Sequence, residues 1–351
     1  MPEITHKARE NYSLRALQNE RPSPLVISVE YSYGIYLPEL NLWLDPHRNQ
    51  DYAFISHAHA DHYGRHQRIL SGQRNATLLT NRFGLSPDKI EPHEYLTPWE
   101  ENGYRFELLP AGHIWGSCML HLTRLHDGAS LLYTGDFKLR SGLAAEQAVL
   151  KPADILIMES TFGLPQFQFP PPSEVRDQLL TFTQSALSAG QTPILYAYSL
   201  GKAQEAIAIL ESAKIPHVQH ASVAKMTSAC IASGLSLKAP LVYGSEVPSG
   251  HALICAPQSR KLKKVQNMEN KVTAMLTGWA LHPSAKFRYR VDEVIPLSDH
   301  ADYHELLETA HTVKPERIYT THGSTKEFAQ TLRSHGYDAW CINGYDQLEL
   351  F

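Results

Sequence analysis

The sequence predicts an α/β fold: a sandwich of sheets whose polar loops meet at one edge, interrupted by a further α/β segment. Three observations carry this. Short apolar runs repeatedly end in a histidine or a carboxylate, at Asp45, His57/His59, His113, Asp136, Glu159, His300 and His322, and groups gathered at one sheet edge suit a rigid scaffold with functional loops above it. The chain then changes character at the proline- and aromatic-rich stretch Pro165–Pro172, as at a crossover between domains. Finally, three imidazoles and one carboxylate fall within Ser56-His57-Ala58-His59-Ala60-Asp61-His62, directly after the apolar run Tyr52–Ile55.

Residues 1–24 are polar and read as a lead-in. Val26–Val29, Gly34–Leu37 and Asn41–Asp45 read as successive strands with Gly, Pro and Asn turns between them. Asp45 closes the third of these and is placed to accept a hydrogen bond from a metal-bound imidazole. After the histidine cluster, Ala76–Thr80 and Tyr104–Leu109 read as strands, the second leading into Pro110-Ala111-Gly112-His113-Ile114-Trp115-Gly116. Leu131–Tyr133 leads to Gly135-Asp136, and Asp154–Met158 to Glu159-Ser160-Thr161. A helix from Ser173 to about Ala189, a strand over Pro193–Tyr198 and a helix from Ala203 to Ala213 follow. The turn Ser199-Leu200-Gly201-Lys202 resembles an anion cradle at a helix N-terminus. Ser160, Thr161, Ser199, Gly201 and Lys202 are therefore the candidate substrate contacts. Val291–Leu297 and Arg317–Thr321 read as strands ending in Ser298-Asp299-His300 and His322-Gly323, with a helix over His304–His311 between them.

Composition bounds the class. The chain has 351 residues, 43% hydrophobic and 19% charged, with a formal net charge of −4, which does not advertise a nucleic-acid binder. A polyanionic substrate would need a local positive field, supplied in part by bound cations. Arg260, Lys261, Lys263 and Lys264 form the densest basic run. The N-terminus lacks an apolar signal region and no apolar run reaches 18 residues, so a cytoplasmic protein without membrane contact is expected. The four cysteines, Cys118, Cys230, Cys255 and Cys341, form no C-x-x-C pair and read as reduced thiols.

Imidazole with carboxylate suits zinc or manganese. His57 and His59, two apart on extended backbone, point the same way. His57, His59 and His113 are assigned to one ion, Asp61, His62 and His322 to a second, and Asp136 bridges them. Paired cations lower the pKa of shared water toward neutrality. Glu159 and His300 remain, a carboxylate orienting an imidazole as a general acid needs. The reaction class is hydrolysis of a phosphoester or of an acyl or lactam bond; a non-catalytic scaffold is the competing reading.

SHAHADH, AGHIWGSC, YTGDFK, MESTFG, SDHAD and THG, in this order, resemble the metallo-β-lactamase-fold nucleases that carry an inserted β-CASP domain. The resemblance runs from about Asp45 to His322, and ESTFGLP with SDHADY is most similar to the bacterial ligase-associated DNA exonucleases. It implies an αββα sandwich over 1–172 and 286–351, with an α/β β-CASP insert over 173–285. It matches Glu159 to motif A, His300 to motif B and His322 to motif C. It further implies a phosphodiester substrate, DNA as a single strand or strand end, 5′-to-3′ exonuclease action in DNA repair, and a DNA ligase and helicase as partners. A histidine at motif C accompanies RNA-processing members, so RNA stands as the alternative substrate. Leu276-Thr277-Gly278-Trp279 departs from the Ser-Gly pattern of the family.

Overall fold

The computed structural model describes residues 26–32 and 34–342; the lead-in over 1–24 lies outside them. The chain opens with β1 (Glu30–Tyr31), β2 (Ile35–Leu37), β3 (Leu42–Leu44), β4 (Tyr52–Phe54), β5 (Arg68–Gly72), α1 (Gln73–Phe83) and β6 (Ile90–His93). Next come β7 (Trp99–Glu101), β8 (Tyr104–Pro110), β9 (Cys118–Arg124), β10 (Ser130–Tyr133) and β11 (Ile155–Ser160). The middle holds α2 (Pro172–Ser188), β12 (Thr192–Tyr196), α3 (Lys202–Ser212), β13 (His217–Gln219), α4 (Ala221–Ala232), β14 (Ala252–Cys255), α5 (Lys263–Gln266), β15 (Lys271–Leu276), α6 (Ala285–Tyr289) and β16 (Glu293–Ile295). The chain then adds α7 (Tyr303–Val313), β17 (Arg317–Gly323), α8 (Thr325–Ser334) and β18 (Ala339–Cys341).

Three sheets result. The first runs β1-β2-β3-β4-β5-β6 and the second β18-β17-β11-β10-β9-β8-β7. The third, β13-β14-β12-β15-β16, is wholly parallel. Alternation along single strands explains the layering. In β10, Leu131 and Tyr133 enter the core between the first two sheets, where they meet Leu44, Phe54 and Leu70. Leu132, between them, faces the other way, toward Leu306 and Ala310 of α7 and Phe328 of α8. On the outer face of the first sheet, Ala53, Ile55 and Ile69 pack on Leu78 and Leu79 of α1 and on Met226 and Cys230 of α4. The layers are therefore helix, sheet, sheet, helix. The third sheet has its own core, where Leu195 and Ile254 meet Leu179 of α2 and Ile207 of α3. It reaches residue 295, past position 285, before the chain returns to the second sheet through α7 and β17.

Two local expectations are corrected. Val26–Val29 forms no ladder; pairing begins at Glu30 opposite Tyr36. Ala76–Thr80 is helix, inside α1, while the strand of this region is β5, pairing with β4 and β6. The buried residues Asn75, Leu78 and Leu79 follow helical spacing, which a five-residue apolar run does not reveal. No helix among the described residues is long and apolar enough to cross a membrane. The four cysteines carry no disulfide, three of them buried.

The polar edge follows from topology. β10, β11 and β17 are mutually parallel, and β8 shares their direction because β9 is antiparallel to both β8 and β10. Their C-terminal ends deliver His113, Asp136, Glu159 and His322 to one side, opposite the ends of β3 and β4 that carry Asp45 and His57.

Candidate metal centre

Two groups of donor atoms lie side by side and share one carboxylate. His57, His59, His113 and Asp136 each offer an atom within 4.8 Å of the others, and so do His62, Asp136 and His322. Asp136 Oδ2 is 3.6 Å from His57 Nε2, 3.2 Å from His62 Nε2 and 3.8 Å from His113 Nε2. Asp61 joins neither group. The short turn Ala60–His62 buries His62 and leaves Asp61 exposed.

Each imidazole of the first group commits one N–H and leaves one lone pair. Asp45 accepts from Ser56 N at 2.7 Å, Ser56 Oγ at 2.5 Å, His62 Nδ1 at 2.9 Å and Tyr133 OH at 2.9 Å. Because the Ser56 hydroxyl proton goes to Asp45, Ser56 Oγ accepts from His57 Nδ1 at 2.9 Å. His59 Nε2 donates to the Leu200 carbonyl at 3.1 Å, and His113 Nδ1 to the Asp299 carbonyl at 2.8 Å. These partners assign the tautomers. They leave His57 Nε2 buried without a partner. They also set the lone pairs of His59 Nδ1 and His113 Nε2 face to face at 3.2 Å. An orphaned buried acceptor and two opposed lone pairs are unfavourable unless a cation lies among them. The donor set therefore fits a metal, with outer hydrogen bonds of the kind that fix ligand orientation.

Electrostatics agrees. Burial drives His57 well below its ordinary value, His59 and His322 to about 4 and His113 to about 3, so these rings are neutral at pH 7, the form that metal ligation requires. Burial opposes charge on His62 too, but Asp136 and Asp45 outweigh it and hold it well above the ordinary value. Asp136 stays ionised despite burial because His62 and His300 face it. Backbone strain collects here as well, with Asp45 at φ 41° and His322 at φ 54°, conformations that non-glycine residues adopt at a cost.

Beside the donors, His300 Nδ1 lies 2.9 and 3.1 Å from the two oxygens of Glu159, whose Oε1 also accepts from Phe137 N at 2.8 Å. Burial alone would lower His300, but Glu159 and Asp136 raise it to about 9. The Phe162 ring packs on His300 and on Trp279, at 5.9 and 4.9 Å between centroids.

The remaining candidates are placed differently. Ser160 is buried and its hydroxyl donates to the His322 carbonyl at 2.6 Å, holding that strained backbone. Thr161 backs onto Gly323, where a Cβ would fall 2.4 Å from Thr161 Cα. In the Ser199–Lys202 turn, Gly201 N donates to Gln204 Oε1 at 2.8 Å, and Gln204 Nε2 donates to the Ser199 carbonyl at 3.1 Å. Lys202 is buried and ion-paired with Asp299. Sequence reasoning passed over Ser56, Tyr133 and Asp299. Ser56 and Asp299 lay inside quoted motifs, next to His57 and His300, while nothing local marks Tyr133.

Comparison with known proteins places this geometry. Residues 284–341 match the family described as Zn-dependent metallo-hydrolase RNA specificity domain. A "Probable DNA ligase" of Opitutus terrae is 41% identical over 92% of this chain, which spans 32% of that protein. The DNA cross-link repair protein SNM1 of Arabidopsis thaliana is 24% identical over 76% of the chain and 60% of its own length. The endoribonuclease YSH1 of Candida albicans is 37% identical over 35% of the chain and 14% of its own length. With the helix, sheet, sheet, helix layers, these likenesses give the chain the metallo-β-lactamase fold. The chain spans less than two thirds of each of those relatives. A crystal structure of a protein of unknown function from Enterococcus faecalis shares the fold at a TM-score of 0.56, with 14% identity over 80% of this chain and 78% of that one.

Proposed function

We propose that this chain is a two-metal nuclease of the β-CASP group that hydrolyses phosphodiester bonds of DNA, working from strand ends in repair. The observation that carries the reading is Asp136, shared by two adjoining groups of buried and half-buried imidazoles whose donor atoms lie within 4.8 Å of one another in each group. His57, His59, His113 and Asp136 would hold one zinc or manganese ion, and His62, His322 and Asp136 the other. Such ions supply positive charge against phosphate oxygens and lower the pKa of water. The chain's own residues do the rest. Glu159 orients His300 through Nδ1 and keeps it charged, so that Nε2 holds a proton for a departing oxygen. Phe162 and Trp279 wall the His300 side with aromatic surface.

The third sheet offers a route for the strand. Residues 256–292 carry eight Lys and Arg against two acids, in a chain of net charge −4. Arg260, Lys261, Lys271, Arg288 and Arg290 line a cleft of about 810 Å³ on the third sheet. Phe287, on α6 beside Arg288, is 88% exposed. Cations for phosphates beside an aromatic for bases are the components of single-strand binding.

The similarity to a protein named as a DNA ligase supports action beside a ligase, and the SNM1 likeness supports DNA repair. RNA is the second reading, favoured by His322 and by the family match over 284–341. End-labelled single and duplex strands of DNA and RNA, incubated with zinc or manganese, test both. Stepwise shortening of DNA supports the proposal. Cleavage of RNA alone would replace it with the second reading, and cleavage of neither would reject the activity.

A further inference from the structure

The first metal position is assembled from two separate parts of the fold. His57, His59 and His113 belong to the sandwich, yet the carbonyl that fixes the His59 tautomer is Leu200's, in the turn between β12 and α3 of the third-sheet unit. The next two residues of that turn grip the sandwich again. Gly201 has φ 100°, and a Cβ there would fall 2.5 Å from Ile114 and 3.0 Å from Asp299 Oδ2. Lys202 is paired with Asp299 Oδ1, and the Asp299 carbonyl is the one that orients His113. One turn later, Glu205 accepts from Leu143 N at 2.9 Å and from Ala144 N at 2.8 Å, in a loop of the sandwich.

We infer that the Leu200–Lys202 turn is a positioning device for the metal centre, so that docking of the third-sheet unit completes the site of the first ion. The Lys202 charge is directed at Asp299. A buried pair of this kind is kept for geometry: removing one partner leaves a buried charge uncompensated and displaces its neighbours. Lys202 thereby holds two carbonyls in register, that of Leu200 two residues before it and that of Asp299 across the interface. Loss of such outer contacts costs metal affinity. The second group, His62, Asp136 and His322, takes its orientation from Asp45 and Ser160 and does not touch this turn.

The inference rests on His57, His59 and His113 being metal ligands, and a titration that needs no cleavage tests it. Cobalt is added to the metal-free wild type, Lys202→Met and Glu205→Ala proteins, and the visible absorption of each bound ion is followed. The expected result is affinity about 10- to 100-fold weaker for one ion in both variants, with the other ion held as in the wild type. Circular dichroism confirms that each variant is folded. Should Lys202→Met not fold, Glu205→Ala, which leaves the pair intact, carries the test. Unaltered affinity for both ions, with a raised KM for DNA in Lys202→Met, overturns the inference and makes Lys202 a phosphate contact. Failure of the wild type to bind cobalt at all rejects the metal reading itself, a separate outcome.

Discussion

Ser56 and His300 show how much depends on single hydrogen bonds. The Ser56 hydroxyl passes the orienting effect of Asp45 to His57, whose Nε2 has no other partner. Replacing Ser56 by Ala is expected to weaken metal binding about 10- to 100-fold, read by zinc titration against a chromophoric chelator. Undiminished affinity would mean that the His57 ring is held by packing alone. His300 meets Asp136 as well as Glu159, with Nδ1 4.0 Å from Asp136 Oδ2, so ligand and general acid are both geometrically open. The proposed role predicts that His300→Ala slows turnover by about 10²- to 10⁴-fold with both metals retained. Loss of metal from that variant would make His300 a ligand. The histidines were legible in the sequence because each stands shortly after an apolar run, whereas Ser56 was passed over. The tautomers of His59 and His113 were not legible, because the carbonyls that set them come from Leu200 and Asp299, over a hundred residues distant.

Strand ends and tight turns carry these side chains to their places. Gly135, between β10 and Asp136, sits at φ 52° with its missing Cβ 2.5 Å from Ser56 Oγ. Gly135→Ala is expected to cost at least about 1–2 kcal/mol from the left-handed backbone alone and to push Ser56 off Asp45. Urea unfolding measures the first effect, and a change within error would show that the turn relaxes freely. The helix α1 is where reading by element failed. Ala76–Thr80 offers β-branched and apolar residues in a run too short to fix a period, and tertiary packing decided it. Leu78 is fully buried against the first sheet, so Leu78→Ala is expected to lower stability by about 2–5 kcal/mol. In the second sheet β8, β10, β11 and β17 were readable because each runs into Gly, His or a carboxylate, whereas β7, β9 and β18 carry no such signal and were not read as strands.

The whole molecule divides its charge: an acidic chain overall, with cations crowded into residues 256–292. If the cleft beside α6 tracks phosphates, binding of a single strand weakens steeply with salt. Lys261→Ala should then reduce the slope of log K against log salt by roughly 0.7, as measured by fluorescence anisotropy; an unchanged slope would remove Lys261 from the strand's path. This surface was only partly legible, since the run Arg260–Lys264 was visible but its meeting with Lys271 and Arg290 needed the fold. All of it presupposes the pair of cations around Asp136. Native mass spectrometry of the zinc- or manganese-loaded protein measures that directly: two ions per chain in the wild type and fewer in Asp136→Ala, with cleavage lost. A single ion in the wild type, or two retained without Asp136, would contradict the shared-carboxylate centre.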